Sequence, residues 1–397
     1  MSRPPGDDPF AIPPGGSPPP PSLALPQPSP DPTSPPSPTS PWQAQAQGWA
    51  PQPKRRWGVP EYDQAQPYHR ILRTRGYRWW RPLVGLLVAL VTFLVISVAV
   101  TAAALVPAFL TGAIDLTDAE TDPAAALISD PLGLLGINLS LAALIPAVVL
   151  GLLAGHQLRP GMLHSVVGRM RWSFLAWCLL IEVGVTAVIL PLSVLTGGGV
   201  VGDAPETQPL SFAAWLPFAI VILLTTPLQA AGEEYGFRGY GLQALGAWVR
   251  NPWFAIVVTS LLFAAAHGTQ SPALFLNRFA FGMIAGWLTV RTGGLEAAIG
   301  IHVVNNMVVL LIASAAGQLA PSLTPTEAPW GTALLDVAGM VVYALLVLRL
   351  ARRKGLDRLT APSPPRMNQP SPAWGAPVSP APGWTPAGGF GQPPTPG

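Results

Sequence analysis

Eight apolar stretches fill the middle of the chain, and most are long enough to cross a lipid bilayer. They run at about residues 82–110, 131–155, 172–196, 211–246, 252–268, 272–291, 295–316 and 331–350. A helix needs about 20 apolar residues to span the hydrocarbon core. The expected fold is therefore all-α, a polytopic membrane bundle of about eight transmembrane helices. The fourth stretch is too long for a simple span and the fifth is short. Pro227, Pro252 and Pro272 mark edges or kinks, because proline breaks the helical hydrogen-bond ladder.

Composition supports this and excludes the main alternative. Hydrophobic residues make up 50% of the chain and charged residues only 10%, against about 25% charged in soluble domains. So few charges could not keep a core of this size in water, which excludes a soluble globular enzyme. The 49 prolines and 40 glycines exceed what a bundle needs. Many of them lie in two tails. Residues 1–67 hold roughly 20 prolines among Ser, Gln, Gly and Ala with no apolar periodicity, which reads as a disordered, partly polyproline-like segment. This stretch has neither the basic nor the apolar region of a secretory signal. Thr360 to Gly397 repeats the style, and no cysteine for prenylation stands at its end. The chain thus divides into a tail (1–67), a basic juxtamembrane segment (68–81), a helix bundle (82–350), and a basic then Pro/Gly-rich tail (351–397). The single cysteine, Cys178, excludes an internal disulfide and Cys-based zinc clusters.

Loop charges orient the bundle. Lys54, Arg55, Arg56, Arg70, Arg73, Arg75, Arg78 and Arg81 precede the first helix. The next loop carries Asp115, Asp118, Glu120, Asp122 and Asp130, with no Lys or Arg. Arg159, Arg169 and Arg171 follow, then only Asp203 and Glu206. Arg250 and Arg291 fall in the fourth and sixth loops, and Arg349, Arg352, Arg353, Lys354 and Arg358 close the bundle. Positive charge alternates from loop to loop, so both termini are expected in the cytoplasm of a multi-pass cell-membrane protein, with an even number of spans. Trp79, Trp80, Trp172, Trp253 and Trp330 stand at expected helix ends, as interfacial aromatics do. The basic run from Lys54 to Arg81 is expected to set topology and to touch anionic lipid, not nucleic acid.

A charge in hydrocarbon costs at least ~2.5–3.5 kcal/mol, which makes ionisable groups inside the spans functional candidates. Three groups of polar residues stand out. Glu233, Glu234 and Arg238 lie in the fourth stretch, His267 in the fifth, and His302, Asn305 and Asn306 in the seventh. Glu234 and Arg238, Phe263 and His267, and His302 and Asn306 are each four apart, so each pair shares a helix face. Glu233 is rotated about 100° from Glu234, so the two carboxylates need not share a partner. Gly232, Gly236 and Gly239 keep the fourth helix slim. His267 lies about 15 residues into its stretch, roughly 22 Å deep. Glu233 reaches a similar depth only if its helix continues to about Leu245.

A carboxylate and an imidazole can together take a proton from water, and a second imidazole with an amide can stabilise an oxyanion. Neither a Ser nor a Cys stands beside these histidines as an evident nucleophile. There is no His-Glu-x-x-His zinc motif.

The three motifs, in this order, resemble the CPBP family of membrane proteases, which includes type-II CAAX prenyl proteases and bacteriocin-immunity-like relatives. The family pattern is Glu-Glu-x-x-x-Arg, Phe-x-x-x-His and His-x-x-x-Asn/Asp. It is complete here as Glu233-Glu234-Tyr-Gly-Phe-Arg238, Phe263-Ala-Ala-Ala-His267 and His302-Val-Val-Asn-Asn306. The resemblance covers about residues 213–311. It implies an intramembrane glutamic endopeptidase acting on a membrane-associated protein or peptide. Glu233 and His267 would activate water, His302 and Asn306 would form the oxyanion hole, and Glu234 and Arg238 would support them. It implies no cofactor; zinc is the less favoured alternative, since Asn is a poor zinc ligand and the spacing fits no standard site.

Blander readings stand beside these. Glu234–Arg238 taken alone is a structural pair, and His267 alone a helix-packing histidine. His302 with Asn306 reads as interhelical glue. Glu182, Asn277 and Arg278 match no motif and read as structural or cavity-lining; Asp336 reads as interfacial. The alternatives for the whole chain are a non-catalytic scaffold or immunity protein on the same fold, a zinc-dependent protease, and a transporter using Glu and His as a proton relay. The Pro-rich tails suit linkers, or recognition by a proline-binding partner.

Overall fold

The computed structural model describes residues 58–110, 127–195, 208–323 and 327–364. Of the two Pro-rich tails, residues 1–57 and 365–397 fall outside the described residues, whereas residues 58–67 and 360–364, expected to be disordered, pair with each other against the bundle. Also outside are Lys54, Arg55 and Arg56, and the acidic loop residues Asp115, Asp118, Glu120, Asp122, Asp203 and Glu206. The described residues fold into helices and isolated bridges, with no strand among them. A 3-10 turn, Tyr68–Arg70, precedes α1 (Arg81–Leu110). Then come α2 (Pro131–Ala142), α3 (Leu144–His156), the short α4 (Gly161–His164) and α5 (Trp172–Leu195). Next are α6 (Phe212–Glu234), a π-helical segment (Tyr235–Gly241) and α7 (Leu242–Trp248). The chain closes with α8 (Pro252–Ala265), α9 (Pro272–Thr292), α10 (Glu296–Ala315), α11 (Leu319–Leu323) and α12 (Trp330–Arg353).

Local chemistry sets several of these starts. Asp130, Ser211, Asn251 and Ser271 each accept a hydrogen bond from a backbone N–H of the turn they open. Such caps satisfy donors that no helical carbonyl can reach. Pro131, Pro252 and Pro272 stand at the first turn, where their missing N–H costs nothing.

Seven runs are long and apolar enough to cross a membrane: Arg81–Pro107, Pro131–His156, Trp172–Leu195, Phe212–Trp248, Pro272–Thr292, Glu296–Ala315 and Trp330–Arg353. The chain is a multi-pass membrane protein. The eighth expected span, α8, has only 14 residues, about 21 Å at 1.5 Å per residue. It ends at Ala265, so the fifth helix is shorter than its apolar stretch. Lipid-facing surface is plain on α1, where Leu86, Leu87, Leu90, Val91, Leu94 and Val95 are all exposed. Trp79, Trp80, Trp172, Trp253 and Trp330 are exposed at helix ends, at the level where aromatic belts sit.

The chain enters and leaves the bundle on one face. The backbone N–H groups of Tyr62 and Gln66 donate to Ser363 Oγ and Thr360 Oγ1, at 3.0 and 2.9 Å. Thr360 and Ser363 return backbone bonds to Gln66 and Tyr62. On the same face Arg159 N–H donates to Gly58 O, and His69 Nε2 bonds Arg250 O at 3.1 Å. The basic loops thus gather together. The two ends of the bundle thus meet on one face, and α8 stands apart from the seven runs long enough to span.

The second span is broken. Pro146 has no N–H to give to Ala142 O, the acceptor four residues back, and the helix divides between α2 and α3 at Ala143. Beyond the break α3 packs very closely on α1. A Cβ on Gly155 would meet Arg81 O at 2.7 Å, and one on Gly85 would meet Gly151 O at 2.7 Å. Small residues let two backbones approach where no apolar driving force exists in lipid.

Candidate active site

The long fourth stretch runs unbroken from Phe212 to Trp248, passing through the π-helical segment. Gly236, Gly239 and Gly241 supply the weak helical preference that lets the segment widen, and such wide turns recur at functional sites. Gly232 seats the helix against the break in the second span. A Cβ there would meet Leu141 O at 2.6 Å and Ala142 Cα at 3.1 Å. Only glycine lets α6 approach at this level, one residue before Glu233.

Both carboxylates are buried, with Glu234 fully so. Arg238 Nη1 donates to Glu234 Oε1 at 2.9 Å, and His302 Nδ1 bonds the same oxygen at 2.7 Å. His302 Nε2 faces Glu233 Oε2 at 3.7 Å. The two carboxylates therefore share His302, although their 100° offset did not require a common partner. A ring can bridge both because its nitrogens point in different directions. Since an ionised carboxylate only accepts, the proton on His302 lies on Nδ1 when the ring is neutral.

Aromatic rings wall the cluster. The Phe263 ring lies 5.8 Å from that of His302 and 5.4 Å from that of Phe281, and the Arg238 guanidinium stands 4.2 Å from its centroid. This is cation–π distance. Phe263 thus caps a buried arginine.

His267 lies two residues past the end of α8, exposed, with Nδ1 2.8 Å from Phe263 O. A carbonyl only accepts, so Nδ1 carries the proton and Nε2 keeps a lone pair. The Phe263 and His267 rings meet edge-on at 4.8 Å. Glu233 is bonded not to His267 but to Gln229, whose Nε2 donates to Glu233 Oε1 at 2.5 Å. Asn306 Nδ2 donates to Gln229 Oε1 at 3.2 Å, and Asn305 Nδ2 donates to Asn306 Oδ1 at 3.2 Å. The structure thus gathers Glu233, Glu234, Arg238, His302 and Asn306. His267 joins them through Phe263, which touches both histidine rings. Gln229 was missed in the sequence. Its signal was available, because it stands four residues before Glu233 on the same helix face.

A second ion pair holds α10, which carries His302 and Asn306. Arg171 Nε and Nη2 donate to Glu296 Oε1 and Oε2 at 2.8 and 2.6 Å, and Arg171 N–H adds a third bond at 2.9 Å. Glu296 opens α10 and is fully buried. A carboxylate there also complements the positive end of the helix. Other polar residues within the spans have partners of their own. Asn277 Nδ2 reaches Ala333 O on α12 at 3.2 Å, Arg278 Nη1 donates to Gln270 Oε1 at 2.6 Å, and Thr186 donates to Glu182. Among the described residues, no group of three His, Cys, Asp or Glu side chains is disposed to hold a metal ion.

Comparison with known proteins places the same residues in context. Residues 214–308 match the model of the family described as type II CAAX prenyl endopeptidase Rce1-like. The chain is similar to an uncharacterized protein, YyaK, of Bacillus subtilis, 30% identical over 145 residues, covering 34% of this chain and 48% of that protein. It is also similar to an uncharacterized 24.3 kDa protein of Escherichia coli, 32% identical over 141 residues, covering 34% of this chain and 63% of that one. The chain thus spans about half to five-eighths of these relatives' lengths. No solved structure matches. The three motifs all fall within residues 214–308, the segment that matches the Rce1-like, type II CAAX prenyl endopeptidase family model.

Proposed function

We propose that the protein is an intramembrane endopeptidase that hydrolyses a peptide bond of a membrane-associated protein or peptide. The observation that carries this reading is the buried cluster in which His302 lies between Glu233 and Glu234, with Asn306 tied to Glu233 through Gln229. The match to a prenyl endopeptidase family over the same residues supports it.

In this reading Glu233 removes a proton from water and the oxygen attacks the scissile carbonyl. His267, with its Nε2 lone pair free, accepts the second hydrogen of that water and holds it in line. The oxyanion accepts hydrogen bonds from Asn306 Nδ2–H and from His302 when its Nε2 is protonated. Glu234 accepts from Nδ1–H and so orients the ring, and Arg238 holds Glu234 in place. The proton on Glu233 then passes to the leaving nitrogen. No covalent intermediate is needed. Preorganised donors aimed at a developing oxyanion are each worth about 10²–10³ in kcat.

The basic face, where both ends of the bundle meet, is the cytoplasmic face under the positive-inside rule. A substrate would then approach from lipid or from the cytoplasm.

The test is cleavage of a fluorogenic peptide mixture by the purified protein in detergent, for wild type and His267→Ala, each with and without a strong chelator. The reading expects chelator-resistant cleavage by wild type and at least a ~10²-fold loss in His267→Ala, the usual scale for acid–base groups. Cleavage abolished by chelator and restored by zinc would replace the glutamic mechanism with a metal-dependent one.

A further inference from the structure

We propose that Gln229 is a positioning residue of this site: one side-chain amide fixes both the Glu233 carboxylate and the direction in which the Asn306 amide faces. This rests on the peptidase reading above and deepens it.

The argument is one of donors and acceptors. Gln229 is 6% exposed on α6, and each end of its amide has one partner. An ionised carboxylate has no hydrogen to give. Glu233 Oε1, at 2.5 Å, therefore faces the NH₂ end of Gln229. That choice turns Gln229 Oε1 toward Asn306, where only the NH₂ end can answer. Asn306 Oδ1 is then left as an acceptor, and Asn305 Nδ2 fills it. The charge on one side chain thus dictates the orientation of three amides. Amide ends are nearly alike in shape and must be assigned from such a network.

The consequence is catalytic. With one Nδ2 hydrogen given to Gln229, Asn306 keeps one hydrogen for an oxyanion. If the amide turned over, it would present oxygen to the oxyanion and repel it. The link also joins the group that activates water to the group that stabilises the product of attack. Glu233 lies on α6 and Asn306 on α10, and no hydrogen bond joins them directly among the described residues. Gln229 is what sets their separation.

The experiment compares wild type, Gln229→Met, Asn306→Ala and Gln229→Met/Asn306→Ala, with Glu233→Gln as the reference. Methionine keeps the length of the side chain and removes both hydrogen bonds. Cleavage of the fluorogenic peptide mixture should show kcat down ~10-fold or more in Gln229→Met with KM within ~2-fold, the pattern of a lost transition-state interaction. The double variant should be little worse than Asn306→Ala alone, because residues acting as a unit are not additive. A kcat within twofold of wild type, in a protein that Glu233→Gln inactivates, would overturn the proposal while leaving the peptidase reading intact. A spectroscopic arm needs no turnover. The isotope-edited infrared difference between wild type and Glu233→Gln isolates the Glu233 band, and that band should move in Gln229→Met at unchanged melting temperature. An unmoved band would overturn the proposal whatever the fate of the peptidase reading.

Discussion

Arg238 shows how much a single buried residue is asked to do. Its guanidinium is fully buried, bonded to Glu234 and stacked on Phe263. Removing one partner of a buried pair leaves an uncompensated charge, which costs about 3–5 kcal/mol. Arg238→Ala should therefore lower the melting temperature markedly in detergent, while Arg238→Lys should retain stability only in part, because an ammonium cannot stack and bond at once. At this scale much of the site was legible in the sequence. Glu233, Glu234, Arg238, His302 and Asn306 stand out as intramembrane polar groups at four-residue spacings, and the structure draws them together. What the sequence did not show is which partner each would choose. Glu233 turned to Gln229 and His302, not to His267, because contacts between helices depend on how they cross, and spacing along one helix is silent on that. Gln229 escaped notice because a lone amide carries no charge to mark it as costly in lipid.

At the scale of elements, the site depends on one helix being broken and another being thin. The division of α2 from α3 opens the backbone that Gly232 of α6 packs against. Gly232→Val would drive two methyl groups into Leu141 O and Ala142. Overpacking of this kind costs about 1–3 kcal/mol, and here the displacement falls directly on Glu233. The expected result is a loss of cleavage larger than the loss of stability, read by running both assays on one preparation. Helix spans were largely legible from apolar length, and the fourth stretch does continue past Glu233 as its depth required. The break at Ala143 was not read, although Pro146 carried it, because an apolar run hides a helix division that keeps both halves buried. The π-helical segment was likewise invisible, since its glycines suit slim packing as well as widening.

The whole molecule is tied together on its basic face. The segment around Tyr62 to Gln66 pairs with Thr360 to Ser363, and Arg171 clamps Glu296 at the head of α10. Arg171→Leu would leave Glu296 buried without its cation and should lower stability by about 3–5 kcal/mol. It should also reduce cleavage by letting α10 shift. His69 adds a pH dependence on the same face. Burial, and secondarily the charge of Arg70, lowers its pKa, against the bond to Arg250 O. A histidine depressed in the fold takes up protons on unfolding, so its contribution is present above the ordinary value of about 6.5 and is lost as pH falls toward the depressed value. The melting temperature should therefore decline as pH falls below about 6.5, and less steeply in His69→Gln. The multi-pass character of the chain was legible from apolar length. The closure of the two ends upon each other was not, because it rests on backbone pairing between segments about 300 residues apart.

The central claim is that Glu233 activates water for peptide hydrolysis inside the membrane. Its most direct test is the initial rate of peptide cleavage by the protein reconstituted in liposomes, wild type beside Glu233→Gln, with folding checked by matched melting curves. Glutamine keeps the size and the hydrogen-bonding reach of the side chain but cannot take a proton. The account predicts cleavage by wild type and a fall of about 10²-fold or more in Glu233→Gln, the scale of a lost general base. Equal rates in the two proteins would contradict it.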